Sequence, residues 1–564
     1  MEDTEMASEL EPYEPDKKEK DGYFYGLAGR PRLIARTSTN RWIELQHAMG
    51  WNNTLFKTRK EYLPVVEHKV MCRWNNDLSS AIIKALNECS WSYFFPIRIG
   101  LEIIYGQSRP KSPTVLLVAV EEDSLQWEQG ITIALECREI LRAFHIPNVE
   151  VEIREGRYER HAASEQFEIQ IDAENWCSGQ TNEAALPMLS SLGYPIGYLE
   201  DLKGQGTVGL HLKLSQDKTS TTFYGLTCRH VVGKDRPIRE SYKLSGVHRQ
   251  YHVQANHTGF LACFDELKSI QKEIEESIEP LLAAKTQWED WYIFDETKKN
   301  RRPTEKEATH LVKLQSGAAY NAKTIEHLAK LEQKDKRKIG HLAYHSSFEI
   351  SSLRPGYLKD WALIELNPEK FVNGPENKVF IGNGTKETYM DGEILENGFL
   401  NLDLRDEDVL GKYCRVGKRG SATGLTFGTK SGVEAVVRHP SADGKDVYAW
   451  EMLIVPERKY KRFSDRGDSG AAIFDSLGRI VGLVTASTDS RPNNDWRGIC
   501  EPGPSNSRNL KSYPGGYTYP EEADETSNDD MAKFPNGVDV TFAAPIQWVL
   551  EDIRNFTGLE PRLA

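Results

Sequence analysis

Short apolar runs separated by glycine-rich and polar turns dominate the chain from about residue 200 onward. Val208, Leu210, Leu212 and Leu214 alternate with small or polar residues, and after a polar turn a second apolar run covers Phe223–Val232. Alternation with a period of two gives a strand one apolar face, and the intervening turn predicts a β-hairpin. Many such segments bury their apolar faces only when sheets pack together or close on themselves, so we expect a mainly β fold.

Further strands are expected down to the end of the chain. They are predicted over Gly340–Ile350, Trp361–Leu366, Cys414–Val437, Trp450–Val455, Ile480–Ala486 and Val538–Ala543. Residues 262–338 instead carry apolar side chains at spacings of three and four, which predicts a helical insertion. Residues 487–537 are rich in Pro, Gly, Ser and Asp without periodicity, which predicts a long irregular loop. A closing helix is predicted over Pro545–Phe556, with proline at its first position.

The first 200 residues have a different pattern. Residues 1–25 contain many Asp and Glu and few aliphatic side chains, which predicts an acidic, disordered tail. Residues 26–197 are predicted to form an α+β domain of unknown role. Its clearest unit is a strand over Thr114–Val120, a helix capped by Ser124 and a second strand from Val149 to Ile153. We therefore expect the mainly β domain to cover residues 198–564.

Charge and composition exclude several classes of protein. The 564 residues include 71 Lys and Arg against 84 Asp and Glu, a net charge of −13, which argues against a dedicated nucleic-acid binder or a binder of anionic membranes. No apolar run approaches the ~18 residues of a membrane span, and no apolar secretion signal is present at the start. The eight cysteines are widely spaced, as is typical of reduced thiols in an intracellular protein, either cytoplasmic or nuclear, that is not secreted.

Three apolar segments each carry a residue type that nucleophilic catalysis uses. His230 lies in Leu-Thr-Cys-Arg-His-Val-Val, Asp360 begins Asp-Trp-Ala-Leu-Ile, and Ser469 lies in Gly-Asp-Ser-Gly-Ala-Ala-Ile-Phe. A serine hydroxyl alone is a weak nucleophile. An imidazole must accept its proton, and a carboxylate must hold the tautomer and orientation of that imidazole. These residues therefore form a candidate catalytic triad.

The order His, Asp, Ser, with the serine inside Gly-Asp-Ser-Gly, resembles the chymotrypsin-fold (trypsin-like) serine peptidases. The spacing from Thr227 to His230 matches the Thr-x-x-His pattern of that family, and the strand, turn and strand within Ala471–Val484 match the segment after its serine. The glycine-rich segment Gly420–Gly428 is similar to a turn in the family's second barrel. The resemblance covers roughly residues 200–557 and is greatest to the disulfide-free intracellular trypsin-like domains of large fungal proteins.

This resemblance implies a double antiparallel β-barrel that carries the helical insertion. It also implies a serine endopeptidase that hydrolyses polypeptides through an acyl-enzyme, with no metal and no cofactor. Ser469 would be the nucleophile, His230 the general base and then the general acid, and Asp360 the residue that orients His230. The backbone N–H groups of Gly467 and Ser469 would form the oxyanion hole, in which one donor typically contributes ~10²–10³ to kcat.

The same resemblance assigns residues around the triad. Thr485 occupies the position where family members often have a serine that hydrogen-bonds the catalytic aspartate. Thr485, Ala486 and Ser487 would line the specificity pocket and pair with the substrate backbone, and Phe463 would lie near the pocket floor. An aromatic floor offers no acidic partner for Lys or Arg, so cleavage after basic residues is not implied. Secreted family members pair the aspartate before the serine with a newly cleaved N-terminus, and the sequence leaves the partner of Asp468 open.

Other functions stay open at this point. The domain can be a catalytically silent or autoinhibited trypsin-like module that binds protein partners through the N-terminal domain or the helical insertion. It can also be a regulatory protease whose main substrate is itself. His341 and His345 are close in sequence, but in a strand they would lie about 13 Å apart, so a surface pair is favoured over a metal site.

Overall fold

Strands exceed helices in the computed structural model, 37% against 30% of the residues it describes, and its sheets are curled. The mainly β class predicted from the sequence is therefore confirmed. The described residues are 11–29, 31–49, 54–102, 112–160, 191–199, 205–215, 222–232, 240–255, 257–294, 305–371, 374–382, 390–392, 394–395, 398–404, 412–439, 446–457, 462–489 and 540–564.

The chain divides into two compact units. The first comprises Met1–Leu63, Cys72–Tyr158 and Thr488–Asp539, and the second comprises Pro64–Met71, Glu159–Ser487 and Val540–Ala564. The division near residue 158 precedes the boundary expected at residue 197, and residues 161–190 lie outside the described part of the chain. Among the described residues, no helix is both long and apolar enough to cross a bilayer.

A sheet with flanking helices forms the first unit. The elements up to residue 160 are α1 Lys17–Gly22, β1 Leu33–Arg36, β2 Gln46–Met49, β3 Thr54–Lys57, β4 Lys60–Leu63, α2 Lys69–Arg73, α3 Ser79–Ala85, β5 Trp91–Leu101, β6 Thr114–Val120, α4 Trp127–Ala143, β7 Glu150–Glu155 and β8 Arg157–Arg160. β4, β5, β6, β7 and β1 lie side by side, with β6 and β7 parallel and joined through α4. The predicted strand–helix–strand unit is confirmed.

The cap predicted for α4 is wrong. The helix begins after Gln126, whose side chain makes no capping hydrogen bond. The hydroxyl of Ser124 donates to the carbonyl of Glu121 at 2.6 Å. It thereby closes the turn after β6, because a short hydroxyl bonds as readily to the turn that precedes it as to a helix that follows.

The disordered tail predicted over residues 1–25 is also wrong for its described part. Helix α1 is capped by Asp16, which accepts from the N–H of Glu19 at 2.8 Å. Glu19 is buried, and its carboxylate pairs with the buried guanidinium of Arg36 at 2.8 Å. The acidic segment is ordered because one of its carboxylates has a distant buried partner. Residues 1–10 lie outside the described residues.

Two antiparallel sheets dominate the second unit. Its elements are β9 Pro195–Tyr198, β10 Gly206–Thr207, β11 Leu210–Ser215, β12 Phe223–Thr227, α5 Arg229–Val232, β13 Tyr242–Lys243, β14 Tyr251–Gln254, α6 His257–Phe294, α7 Glu305–Ala329, β15 Lys338–His345, β16 Ala362–Leu366, β17 Lys378–Phe380, β18 Phe399–Asn401, β19 Asp403–Leu404, β20 Cys414–Gly420, β21 Gly424–His439, β22 Val447–Pro456, β23 Ala472–Asp475, β24 Arg479–Asp489, β25 Thr541–Pro545, α8 Ile546–Thr557 and β26 Glu560–Leu563.

The N-terminal sheet of this unit curls back on itself. Its strand order is β10, β9, β14, β15, β16, β12, β11 and β26. β10 and β11 are nearly continuous along the chain, so the two ends of this order are brought together. The alternating residues Leu210, Leu212 and Leu226 are fully buried in its core, as their period of two predicts.

The C-terminal sheet of the unit is closed by its pairings. β20 pairs with β21 and β23, β21 with β22, β22 with β25, β25 with β24, and β24 with β23. Following the pairs leads back to β20, so each of these six strands has a neighbour on both edges. Met452, Ile473 and Val484 are fully buried in the core that these strands enclose.

The predicted helical insertion is confirmed as a hairpin of α6 and α7. Apolar side chains of both helices share one buried cluster, including Phe260, Leu267 and Leu314. The amide of buried Asn321 donates to the carbonyl of Leu267 at 2.9 Å, which ties α7 to α6. The predicted closing strand and helix are confirmed as β25 and α8. The irregular loop predicted over residues 487–537 begins within β24, and its residues from 490 onward lie outside the described part.

The two histidines of β15 differ from the prediction. His341 and His345 lie on one strand, as expected, but both are buried rather than at the surface. Nδ1 of His345 lies 2.8 Å from the carbonyl of Ser346, and Nε2 of His341 lies 3.9 Å from the carboxylate of Glu365. One ring nitrogen of His345 therefore bonds to the adjacent backbone, and His341 lies near a carboxylate of the paired strand β16.

Candidate active site

The pairing of two strands brings the candidate base and acid together. β12 ends at Thr227 and leads into α5, which carries His230, while β16 begins shortly after Asp360. Thr227 and Ala362 are register partners in this antiparallel pair. His230 and Asp360 therefore lie at the same end of the sheet, although the α6–α7 hairpin separates them along the chain.

Two hydrogen bonds join His230 to Asp360. Nδ1 of the imidazole lies 2.6 Å from Oδ2 of the carboxylate, and the backbone N–H of His230 donates to Oδ1 at 3.0 Å. A carboxylate accepts hydrogen bonds, so in the neutral ring Nδ1 carries the proton and Nε2 has the lone pair. Nε2 is buried and has no hydrogen-bond partner among the described residues. The imidazole is thus held in the tautomer that a general base requires.

The carboxyl of Asp360 is buried but favours the ionised form. Burial by itself would raise its pKa, but the imidazole and hydrogen bonds of His230, together with the guanidinium of Arg160, lower the pKa below its ordinary value. Asp360 is therefore a carboxylate throughout the neutral and mildly acidic range, which keeps the proton on Nδ1 of His230.

Ser469 lies in a tight turn bounded by two glycines. Gly467 and Gly470 have φ values of 105° and 91°, a region that favours glycine. A Cβ on Gly470 would lie 2.3 Å from the carbonyl oxygen of Thr207, so no larger residue fits there without movement. The Gly-Asp-Ser-Gly segment thus forms a sharp turn packed directly against the neighbouring strand.

Two backbone donors of this turn are free. Among the described residues, the N–H groups of Gly467 and Ser469 make no hydrogen bond. The carbonyl of Gly467 is fixed by the hydroxyls of Thr207 at 2.8 Å and Ser421 at 2.6 Å. With this peptide held, the two N–H groups on either side of Asp468 are available to an anionic oxygen, as an oxyanion hole requires.

Asp468 has the partner that the sequence leaves open. Its carboxylate lies 3.1 Å from Nζ of Lys418 on β20, and both side chains are fully buried. The carboxylate also accepts hydrogen bonds from the backbone N–H groups of Ala422 at 2.9 Å and Asp465 at 3.0 Å, and from the hydroxyl of Thr423 at 2.6 Å. Burial opposes ionisation, but Lys418 and these donors lower the pKa of Asp468. An internal cation therefore holds the turn in place.

Short links join the histidine side of the site to the serine side. The thiol of Cys228 donates to the carbonyl of Val484 at 3.2 Å, and the N–H of Gly470 donates to the same oxygen at 2.9 Å. The N–H of Thr207 donates to the carbonyl of Ser469 at 2.8 Å. These bonds fix the turn that carries Ser469 against β10 and against the segment that links β12 to His230.

The hydroxyl of Ser469 has an unexpected partner. It donates to the carbonyl of Thr485 at 3.1 Å rather than to Nε2 of His230. Ser469 is fully buried and His230 is 9% exposed. Catalysis through this serine therefore needs a rotation about its Cα–Cβ bond that turns the hydroxyl from Thr485 toward His230.

The role expected for the side chain of Thr485 is wrong. Its hydroxyl donates to the carboxylate of Glu451 on β22 and not to Asp360. Both oxygens of Asp360 already accept from His230, and the buried Glu451 supplies a competing acceptor. Glu451 thus anchors the residue whose carbonyl receives the serine hydroxyl.

The residues assigned to the specificity pocket are all buried. The ring of Phe463 packs in the core of the C-terminal sheet with Met452 and Val481, and its place near a pocket floor stays a prediction. Ala486 and Ser487 lie on β24 and are fully buried, with their strand paired to β25. Their role in binding substrate stays a prediction.

The one group of possible metal-ligating side chains found among the described residues is Cys228, His230 and Asp360. Burial raises the pKa of the Cys228 thiol well above its ordinary value, so it stays protonated. His230 and Asp360 are already bonded to each other. These side chains fit a metal site poorly, because a cysteine binds a metal as the thiolate and the other two groups already bond to each other.

Three residues of the site were missed in the sequence. Lys418 and Glu451 are charged residues inside apolar strands, and a buried charge signals a fixed partner, although neither partner is near in sequence. Thr207 precedes an alternating strand and carries no comparable signal. No model of a known protein family matches the chain, and neither does any curated protein.

Proposed function

We propose that this protein is a serine endopeptidase of the chymotrypsin-fold type. The observation that carries the proposal is the pair of hydrogen bonds from His230 to the buried carboxylate of Asp360, at 3.0 and 2.6 Å, beside a turn that bears Ser469 and two free N–H groups. An oriented imidazole, a buried carboxylate and an oxyanion hole around a serine are the parts that acyl transfer to serine needs.

The strand pairings support the double β-barrel of this fold. The closed set of six strands from β20 to β25 has the pairing of one barrel, and the sheet that curls from β10 round to β11 has that of the other. His230 and Asp360 come from the sheet that curls from β10 round to β11, and Ser469 comes from the closed set of six strands. A site assembled from two barrels explains why its residues are far apart in sequence.

The proposed chemistry proceeds through a covalent intermediate. The Oγ of Ser469 bonds to a peptide carbonyl carbon while its proton passes to Nε2 of His230, and the N–H groups of Gly467 and Ser469 stabilise the oxyanion. The C–N bond then breaks and the leaving amine takes the proton from His230. Water, deprotonated by His230, attacks the acyl-enzyme and releases the carboxylic acid and the free serine.

Labelling with a fluorophosphonate probe tests this function. The full chain should become labelled at Ser469, because an activated hydroxyl displaces fluoride from the probe. Ser469→Ala should lose all labelling while its melting temperature stays within a few degrees of the original. Labelling that persists in this variant would place the reactive group elsewhere, and loss of folding would make the serine structural.

A second candidate is a catalytically silent trypsin-like module that binds proteins. It is favoured by one observation: the hydroxyl of Ser469 donates to Thr485 and leaves Nε2 of His230 without a partner. Absence of labelling in a folded, full-length protein would support this candidate over the peptidase.

A further inference from the structure

One edge of β24 runs past the candidate nucleophile. β24 pairs with β23 only as far as Leu483, whereas its opposite edge stays paired with β25 as far as Ser487. Thr485, which accepts the hydroxyl of Ser469, lies beyond the last residue paired to β23. The edge of a strand offers backbone donors and acceptors to an extended polypeptide, so this edge can hold one beside Ser469.

A segment of the chain itself, the end of β8, lies along this edge of β24. β8 pairs with β24, and its last two residues, Glu159 and Arg160, belong to the second unit. The carboxylate of Glu159 accepts a hydrogen bond from the guanidinium of Arg466, the residue directly before Gly467. Since β25 covers the other edge, this contact places the end of β8 on the edge that faces Ser469.

Arg160 fills a site built from buried side chains. Its guanidinium carbon lies 3.7 Å from the centre of the Phe348 ring, and its Nη2 lies 2.9 Å from Nδ1 of His439. Burial is the larger cause and the charge of Arg160 the smaller one, and together they lower the pKa of His439 to about 3. The imidazole is therefore neutral, and its Nδ1 accepts from the guanidinium. Nε2 of His439 lies 4.0 Å from the carboxylate of Glu451, which accepts from the hydroxyl of Thr485, so this site adjoins the strand beside Ser469.

Consecutive residues of β8 therefore meet chemically matched partners. A cation contacts the acidic side chain, and an aromatic face with a neutral imidazole contacts the guanidinium, which is the preferred environment of a planar cation. Arg157, at the start of the same strand, contrasts with them because it lies 3.6 Å from Glu122 and is half exposed.

We propose that the edge of β24, with Arg466 on one side and Phe348 with His439 on the other, is a binding site for an extended peptide in which an acidic residue precedes an arginine. In the intact chain, Glu159 and Arg160 occupy this site in cis, so a peptide in solution must displace them. This inference rests on the proposed peptidase function, for which it supplies a side-chain preference and an occupant within the chain itself.

The test uses a fluorescent peptide, acetyl-Arg-Tyr-Glu-Arg-amide, which copies residues 157–160. Binding is measured by anisotropy to the full chain and to two variants, Glu159→Ala/Arg160→Ala and the matched control Arg157→Ala. The double variant should bind the peptide at least about tenfold more tightly than the original and the control, because its own strand no longer competes for both side-chain sites. A peptide with the last two residues exchanged should bind more weakly than the first.

Equal affinity of the double variant and the original, or equal binding of the two peptides, would overturn the inference. If the double variant does not fold, Glu159→Gln keeps the size of the side chain and should show a smaller gain in the same assay. Fluorophosphonate labelling of the same samples separates the two hypotheses, because the small probe does not need the peptide site. Labelling without a gain in peptide binding contradicts only this inference, whereas no labelling of any folded sample contradicts the peptidase.

Discussion

At the scale of single residues, the site depends on which nitrogen of His230 holds a proton. Asp360 accepts from both the backbone and the ring of this residue, so the carboxylate fixes the position of α5 as well as the tautomer of the imidazole. A neutral amide in place of this carboxylate can still hold α5 in position, but it no longer fixes the tautomer of the imidazole.

Asp360→Asn should therefore keep the position of His230 but change the tautomer of its imidazole. The amide can accept at one atom but donates at the other, which favours the tautomer with the proton on Nε2 and removes the lone pair that accepts the serine proton. We expect turnover to fall by ~10⁴, as is usual when a triad aspartate is replaced in this way. The rate of covalent labelling by the fluorophosphonate probe measures this loss, because labelling needs the same activated serine.

Glu365→Gln provides the matched control, because this carboxylate lies on β16, the strand that follows Asp360, but is near His341. It should leave the labelling rate unchanged. A rate for Asp360→Asn close to the original would remove Asp360 from the triad.

At the scale of elements, β20 contributes a cation that fixes a turn in another part of the chain. Lys418 donates to the carbonyl of Gly424 at 3.0 Å in addition to its contact with Asp468. It thus ties the hairpin between β20 and β21 to the turn that carries Ser469. The positions of the two N–H groups proposed as oxyanion donors depend on this tie, because Asp468 lies between Gly467 and Ser469 in sequence.

Lys418→Met should destabilise the protein and disrupt the turn. The change leaves the carboxylate of Asp468 buried without its cation, and breaking a buried pair on one side typically costs about 3–5 kcal/mol. We expect the free energy of unfolding in urea to fall by about this amount and labelling of Ser469 to be lost.

The double variant Lys418→Met/Asp468→Asn removes both charges and should recover part of this stability. If Lys418→Met unfolds at the same urea concentration as the original protein, the pair does not hold the turn.

At the scale of the whole molecule, three buried histidines make stability depend on pH. Burial lowers the pKa of His211 and His252 to about 4 and that of His439 to about 3, against an ordinary value of 6.5. His211 is fixed as a neutral ring, because Nδ1 lies 3.0 Å from the carbonyl of Glu376 and Nε2 lies 3.0 Å from the hydroxyl of Tyr194. Between pH 6.5 and these lowered values the unfolded chain binds protons that the folded chain does not.

Unfolding therefore takes up protons in this window, and the free energy of unfolding falls as the pH is lowered through it. For three such residues the loss between pH 8 and pH 5.5 should be about 4 kcal/mol. Urea titrations at the two pH values measure it. In His211→Asn the loss should be smaller by about a third, whereas an unchanged pH dependence would show that His211 is protonated in the folded state.

The sequence by itself determined the class of elements and the candidate triad. Alternating residues such as Leu210 and Leu212 define strands, and a serine between glycines defines a tight turn, because both depend on neighbours a few residues apart. His230, Asp360 and Ser469 could be found for the same reason, since each lies at the edge of an apolar run.

Only the tertiary structure decided which distant groups meet. The pairing of β12 with β16 brings His230 to Asp360. The packing of the strands likewise places Lys418 beside Asp468, Glu451 beside Thr485 and β8 along the edge of β24. A charged side chain enters a protein interior only with a partner, but its own sequence says nothing about where the partner comes from. The physical reason is that burial and pairing depend on how strands far apart in the chain are registered against one another.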